Sequence, residues 1–236
     1  MRFAKPRRRQ FQDVIINATG GFKAEIAYAT ALGLVYKVPV YYIHEKFQEI
    51  VVLPPSPFGW DSTLIAWNRE FFDWIDAEPR PTGGGKGQSI GTGATKLEVL
   101  LEDTPDGHTM LSPLGQIYLE AFRGELEQAQ SVPIYFGPKA RQAWERLEPA
   151  QREKYRRVLQ NLRLPNRAAN SELKSGGGDA LGYPKGHVDE RVFYAEKDGA
   201  LYVFALTRHG PEYDRMCREG FSWRDHKPED FTPWEG

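Results

Sequence analysis

The chain has 236 residues, 40% hydrophobic and 13% aromatic, a composition that excludes intrinsic disorder and can supply one large core or two small ones. Its formal net charge of −1 hides a basic segment, +5 over residues 139–209, between flanks of −3 over residues 1–130 and −3 over residues 210–236; this suits a nucleic-acid-facing surface or a solvated helix equally. The lone Cys217 excludes an internal disulfide and a multi-cysteine metal site. No apolar run approaches the ~20 residues of a membrane span, and no apolar stretch follows the basic start (Arg2, Lys5, Arg7, Arg8, Arg9), so a cytoplasmic protein is expected.

In chain order, "VIIN" (Val14–Asn17) reads as a buried strand. "TGGFK" closes it and opens a helix, "GFKAEIAYATALGLV", in which Ile26, Ala27, Thr30 and Ala31 recur at helical spacing and Gly33 marks the predicted stop. "VPVYYIHEKFQEIVVLPPSP" carries a strand at Val40–Ile43 and a further apolar run at Glu49–Leu53. Strand, helix and strand predict a parallel βαβ unit covered on both faces. A helix rich in Trp and Phe is expected around Asp61–Ile75.

The Pro- and Gly-rich Ala77–Lys96 reads as a flexible connection. Its "GGGKGQS" lacks the spacing of a phosphate loop and follows no strand. Strand–turn–strand chemistry surrounds Pro105-Asp106-Gly107, and Ser112 with Pro113 starts a long amphipathic helix, giving a small winged-helix-like unit. From Ser131 onward a short strand, two helices broken near Glu148-Pro149 and a hairpin turning at Lys197-Asp198-Gly199 predict an α+β plan.

Two constellations carry chemistry. In the first, the Thr19-Gly20-Gly21 turn sits between strand and helix, where bare backbone and a helix N-terminus favour an anion; on spacing alone it is also an ordinary tight βα connection. In the second, Lys185, His187, Arg191, Arg208, His209 and Tyr213 flank the hairpin. Pairing about Asp198-Gly199 brings Arg191 and Arg208 to one end and one face of the sheet, with Lys185 and His209 close by. Cations, imidazoles and a phenol without a carboxylate cage suit metal-free phosphodiester cleavage: a base takes the ribose 2′-OH proton, an arginine offsets phosphorane charge and an acid protonates the 5′-oxygen. Ion pairing with Glu190 and Asp214 is the plainer reading of the same residues.

"VIINATGGFKAEIAYATALG" followed by "VPVYYIHEKFQEIVVLPPSP" closely resembles the second half of a CARF domain, the Rossmann-like sensor of type III CRISPR systems. That resemblance implies a homodimer that binds a cyclic oligoadenylate, cyclic tetra-adenylate first among them, with Asn17, Thr19, Gly20, Gly21 and Lys23 as ligand contacts and Phe22 packed beneath. The twelve residues "MRFAKPRRRQFQ" are too few for the other half, so weak or absent ligand binding is expected of the chain as written.

Ile134–Met216 resembles a RelE-type toxin, a ribosome-dependent mRNA interferase, through "IYFGPKARQAWERL", "SELKSGGGDALGYPKG" and "ERVFYAEKDGALYVFALTRHGPEYDR". The resemblance implies that Arg191 stabilises the transition state, Arg208 is a second active-site arginine, Tyr213 stacks on a base, and Lys174 and Lys185 hold RNA. Lys185 or His187 would serve as base and His209 as acid. The helix "QREKYRRVLQNLR", with Arg156 and Arg157, fits ribosomal RNA phosphates or a solvated face.

The resulting plan is an α/β, partial Rossmann-like CARF domain over residues 1–80, a Gly-rich linker and winged-helix-like unit over 81–130, and an α+β RelE-like domain over 131–236. The expected activity is a metal-independent, cofactor-free endoribonuclease of type III CRISPR antiviral defence, switched by cyclic oligoadenylate and acting on mRNA at the ribosome. A DNA-binding transcription regulator and a ring nuclease that degrades the cyclic nucleotide remain as rivals. The acidic, aromatic tail "FSWRDHKPEDFTPWEG" either packs Trp223 and Trp234 onto the sheet or engages a protein.

Overall fold

The computed structural model describes residues 14–20, 23–44, 49–55, 62–82, 98–173, 178–186 and 188–235. Its mixed α/β architecture divides into two compact units, Met1–Phe122 and Arg123–Gly236. None of the described helices is long and apolar enough to cross a membrane.

In the first unit, β1 (Ile16–Asn17) runs parallel to β2 (Val40–His44), and α1 (Lys23–Tyr36) connects them. β3 (Glu49–Leu53) then pairs antiparallel with β2, giving the order β1-β2-β3. Gly33 does not end α1. A Cβ there would stand 2.2 Å from the Val40 side chain, so the glycine lets the helix lie close against β2, and the helix ends at Lys37, which takes a positive φ of 55°. The expected cover on both sheet faces is not seen among the described residues: Ile43, Ile50 and Val52 are exposed.

The expected aromatic helix is two, α2 (Thr63–Trp67) and α3 (Arg69–Ala77), separated at Asn68, with Ile65, Phe71, Phe72 and Ile75 turned inward. A second small sheet has the order β4-β6-β5, from β4 (Arg80–Pro81), β5 (Leu101–Asp103) and β6 (His108–Leu111). Part of the expected linker is therefore structured, Ala77 ending α3 and Arg80–Pro81 forming a strand; residues 83–96, including "GGGKGQS", lie outside the described residues. The Ser112 hydroxyl accepts the Gly115 N–H at 3.1 Å and caps α4 (Pro113–Ala129), as its sequence predicted.

The second unit is built on a six-stranded sheet whose strands lie side by side in the order Thr232–Pro233 (β12), Ile134–Phe136 (β7), Ala200–Arg208 (β11), Glu190–Lys197 (β10), Leu181–Tyr183 (β9) and Glu172–Leu173 (β8). β7 (Ile134–Phe136) leads into α5 (Pro138–Glu145) and α6 (Pro149–Leu162), both begun by a proline that fits the first helical turn. β8 (Glu172–Leu173) and β9 (Leu181–Tyr183) precede the central hairpin of β10 (Glu190–Lys197) and β11 (Ala200–Arg208). That hairpin turns through Asp198 and Gly199, both at positive φ (52° and 75°), which is the geometry of a tight I′ connection. α6 packs on β10 and buries Tyr155, Val158, Leu159 and Leu162.

Beyond the sheet, α7 (Pro211–Glu219) and the tail cover the opposite face with Tyr213, Met216 and Phe231 against Phe193, Phe204 and Ala205. The tail's β12 (Thr232–Pro233) pairs antiparallel with β7, and Trp234 stacks on Phe136 at 5.9 Å. Trp223 meets Tyr202 and Phe204 edge-on. Of the two expectations for the tail, packing onto the sheet is the one observed.

Candidate active site

The hairpin fixes where the cations sit, and a bulge changes the arrangement that even pairing would give. Counted back from the turn, regular pairing sets Arg208 opposite Asp189 and on the same face as Arg191. In the structure Phe193 pairs with Ala205 but Tyr194 pairs with Val203, leaving Phe204 as an extra residue in β11. Beyond it Arg191 faces Thr207 and Glu190 faces Arg208. Because side chains alternate with a period of two, that single residue exchanges the faces. Arg191 lies on the side of α7 and the tail, and Arg208 on the side of α6. The expectation of one shared face is corrected: the two arginines come to the same end of the sheet from opposite sides.

On the α7 side, Arg191 is only 7% exposed. Its guanidinium donates to the carbonyls of Val188 and Glu190, the latter at 3.1 Å, and stands 5.9 Å from the centre of the Tyr213 ring. The His209 ring is 5.6 Å from the same phenol. Tyr213 itself is 5% exposed, and its hydroxyl donates to a Glu172 carboxylate oxygen at 3.0 Å. Arg191, His209 and Tyr213 thus form one contiguous group with an acid from β8 attached.

On the α6 side, Arg208 is largely exposed and lies 3.4 Å from the Asp189 carboxylate. The His209 N–H donates to the Asp189 carbonyl at 2.8 Å, which closes the strand end. Beneath, the Tyr155 hydroxyl donates to the Thr207 carbonyl. Burial pushes this phenol well above its usual range, with Glu190 pushing the same way and Arg208 opposing.

Lys185 is exposed just past β9, and because Tyr183 pairs with Val192 it follows at the same end of the sheet. Its N–H donates to the Asn170 carbonyl at 2.7 Å. His187 and Lys174 lie outside the described residues. Arg156 and Arg157 lie on α6, where Arg156 pairs with Glu153. Sequence reasoning missed Glu172 and Tyr155: each stands far along the chain from the group it touches, and nothing local marks either as a site residue.

At the other constellation, the turn after β1 follows the carboxyl ends of two parallel strands, the place where open α/β sheets receive ligands. The Asn17 Oδ1 accepts the Thr19 N–H at 3.0 Å, and the Thr19 hydroxyl accepts the Ile43 N–H at 3.0 Å, tying the turn to β2. Gly20 takes a positive φ of 89°. Gly21 and the Lys23 side chain lie outside the described residues, although the Lys23 backbone begins α1.

By its fold the chain is a mixed α/β protein carrying a cluster of cations at one end of a mixed six-stranded sheet, in which β7 runs parallel to β11 and the other pairings are antiparallel. Residues 2–56 match a family model described as CRISPR-associated protein (Cas_APE2256), which supports a CRISPR-linked role. No curated protein matches the chain.

Proposed function

We propose that this chain is a CARF–RelE fusion of type III CRISPR defence, an endoribonuclease that cuts mRNA on the ribosome when a cyclic oligoadenylate reaches its N-terminal domain. The observation that carries the nuclease reading is the gathering of Arg191, Arg208, His209, Tyr213 and Lys185 at one end of the six-stranded sheet. The family match over residues 2–56 supports the CRISPR setting, and the Asn17–Gly20 turn at the strand ends supports the sensor.

In this reading a phosphodiester lies across the sheet end. The ribose 2′-oxygen attacks phosphorus and gives its proton to a base, Lys185 or His187. Arg208, which is open to solvent, and Arg191 offset the charge of the phosphorane. The P–O5′ bond breaks as His209 delivers a proton to the leaving oxygen, giving a 2′,3′-cyclic phosphate and a 5′-hydroxyl. The ribosome orders the substrate, and Lys174, Arg156 and Arg157 contact RNA phosphates. The sensor would act as a homodimer, ligand binding shifting the population of nuclease-competent conformers.

The test is cleavage of mRNA on programmed ribosomes by the wild-type chain and by an Arg191→Ala, Arg208→Ala double variant, each with and without cyclic tetra-adenylate. Cleavage by the wild type alone supports the nuclease reading, and equal cleavage by both proteins overturns it. Calorimetric titration with cyclic tetra-adenylate tests the sensor separately; no heat of binding removes it from the reading.

A further inference from the structure

Tyr155 belongs to α6, far along the chain from the hairpin residues to which the sequence assigns the chemistry. It is 2% exposed, and its hydroxyl donates to the carbonyl of Thr207, the residue immediately before Arg208. On the other side of Arg208, the His209 N–H is bonded to the Asp189 carbonyl at 2.8 Å. The Arg208 backbone is therefore pinned both before and after the residue, once by a helix and once by the neighbouring strand. The outer pin is a backbone bond that almost any residue could make. The inner one needs a phenol reaching from α6.

The setting fits a fixed donor. The Tyr155 hydroxyl meets the Thr207 carbonyl where β11 reaches the Glu190–Arg208 pair, so it lies beside the strand end it would steady. Its burial keeps it protonated and donating at physiological pH. Arg208, by contrast, is largely exposed and has a long side chain. Such a group contributes to an oxyanion only if its strand end is held in place, because a misplaced donor loses most of its effect.

Resting on the nuclease reading, we propose that Tyr155 is a positioning residue that acts through Arg208, its hydroxyl fixing the Thr207–Arg208 peptide so that the guanidinium meets the scissile phosphate. This assigns a functional role to a helix whose basic face was the part singled out in the sequence.

The experiment compares Tyr155→Phe, Arg208→Ala and the double variant on programmed ribosomes. Phenylalanine keeps the ring and removes only the donor. Tyr155→Phe is expected to lower kcat about tenfold with KM little changed, the size expected for one well-placed hydrogen bond. In the Arg208→Ala background the same change is expected to cost nothing further, because the two residues act as one unit. An unchanged rate for Tyr155→Phe, or an equal loss in both backgrounds, overturns the proposal.

Amide hydrogen exchange on the full chain separates this result from failure of the nuclease reading itself. Faster exchange confined to Arg208 and His209 in Tyr155→Phe supports the positioning role even if the wild type cleaves no RNA. Uniform acceleration along β10 and β11, or no change, overturns it.

Discussion

Arg208 stands opposite Glu190 rather than opposite Asp189, because Phe204 is one residue too many for the partner strand. The bulge turns Arg208 toward α6 and leaves Arg191 on the far side beside Tyr213. The two arginines consequently have different surroundings, and they should respond differently to removal.

Arg208 is exposed and paired only at 3.4 Å with an exposed Asp189. Arg208→Ala is expected to change stability by less than about 0.5 kcal/mol while lowering RNA cleavage by about a hundredfold or more. Arg191 is buried and bonded to two carbonyls, so Arg191→Ala should cost about 2 kcal/mol as well as activity. Urea unfolding alongside cleavage assays checks both, and equal stability losses for the two variants would contradict the assigned environments.

The bond from Tyr213 to Glu172 joins α7 to β8. Tyr213→Phe retains the ring against Phe193 and loses this bond, and should destabilise the protein by about 1 kcal/mol. In a Glu172→Gln background the same substitution should cost less, because the acceptor is no longer charged. A double-mutant cycle in urea measures the difference.

Three buried phenols should make the C-terminal unit sensitive to alkaline pH. Burial raises Tyr155, Tyr183 and Tyr194 above the ordinary 10.0, so each is harder to ionise folded than unfolded. A group raised in the folded state contributes stability that is complete below its unfolded value and lost as pH rises toward the folded one. The melting temperature should therefore fall as pH climbs past about 10, where unfolded tyrosine ionises. Tyr155→Phe should make that fall shallower, as thermal unfolding across the alkaline range will report.

The tail contributes to the core. Trp234 is 7% exposed, stacked on Phe136 and edge-on to Trp144 at 5.8 Å. Trp234→Ala should cost about 3 kcal/mol, and a transition midpoint unchanged by the substitution would contradict the packing described.

Local chemistry made much of the fold readable. The Asp198-Gly199 dipeptide marked its hairpin to the residue, because a two-residue turn at positive φ suits few side chains. Ser112 with Pro113 marked the start of α4, because a hydroxyl cap and a missing N–H belong to a helix's first turn. Gly33 reads as a helix stop in the sequence because a glycine permits both an ending and a close approach, and only the position of Val40 tells the two apart. Arg80-Pro81 reads as linker in the sequence because two residues carry no period.

Arg191, Arg208, His209 and Tyr213 could likewise be read directly, since each lies in or beside the hairpin. The sequence by itself determined that Arg191 and Arg208 reach one end of a sheet, because turn chemistry sets which residues lie near each other across a hairpin. Only the tertiary structure decided which faces they occupy and which groups hold them. The bulge at Phe204, the acid at Glu172 and the phenol at Tyr155 arise from packing among segments far apart along the chain, and no local pattern encodes such meetings.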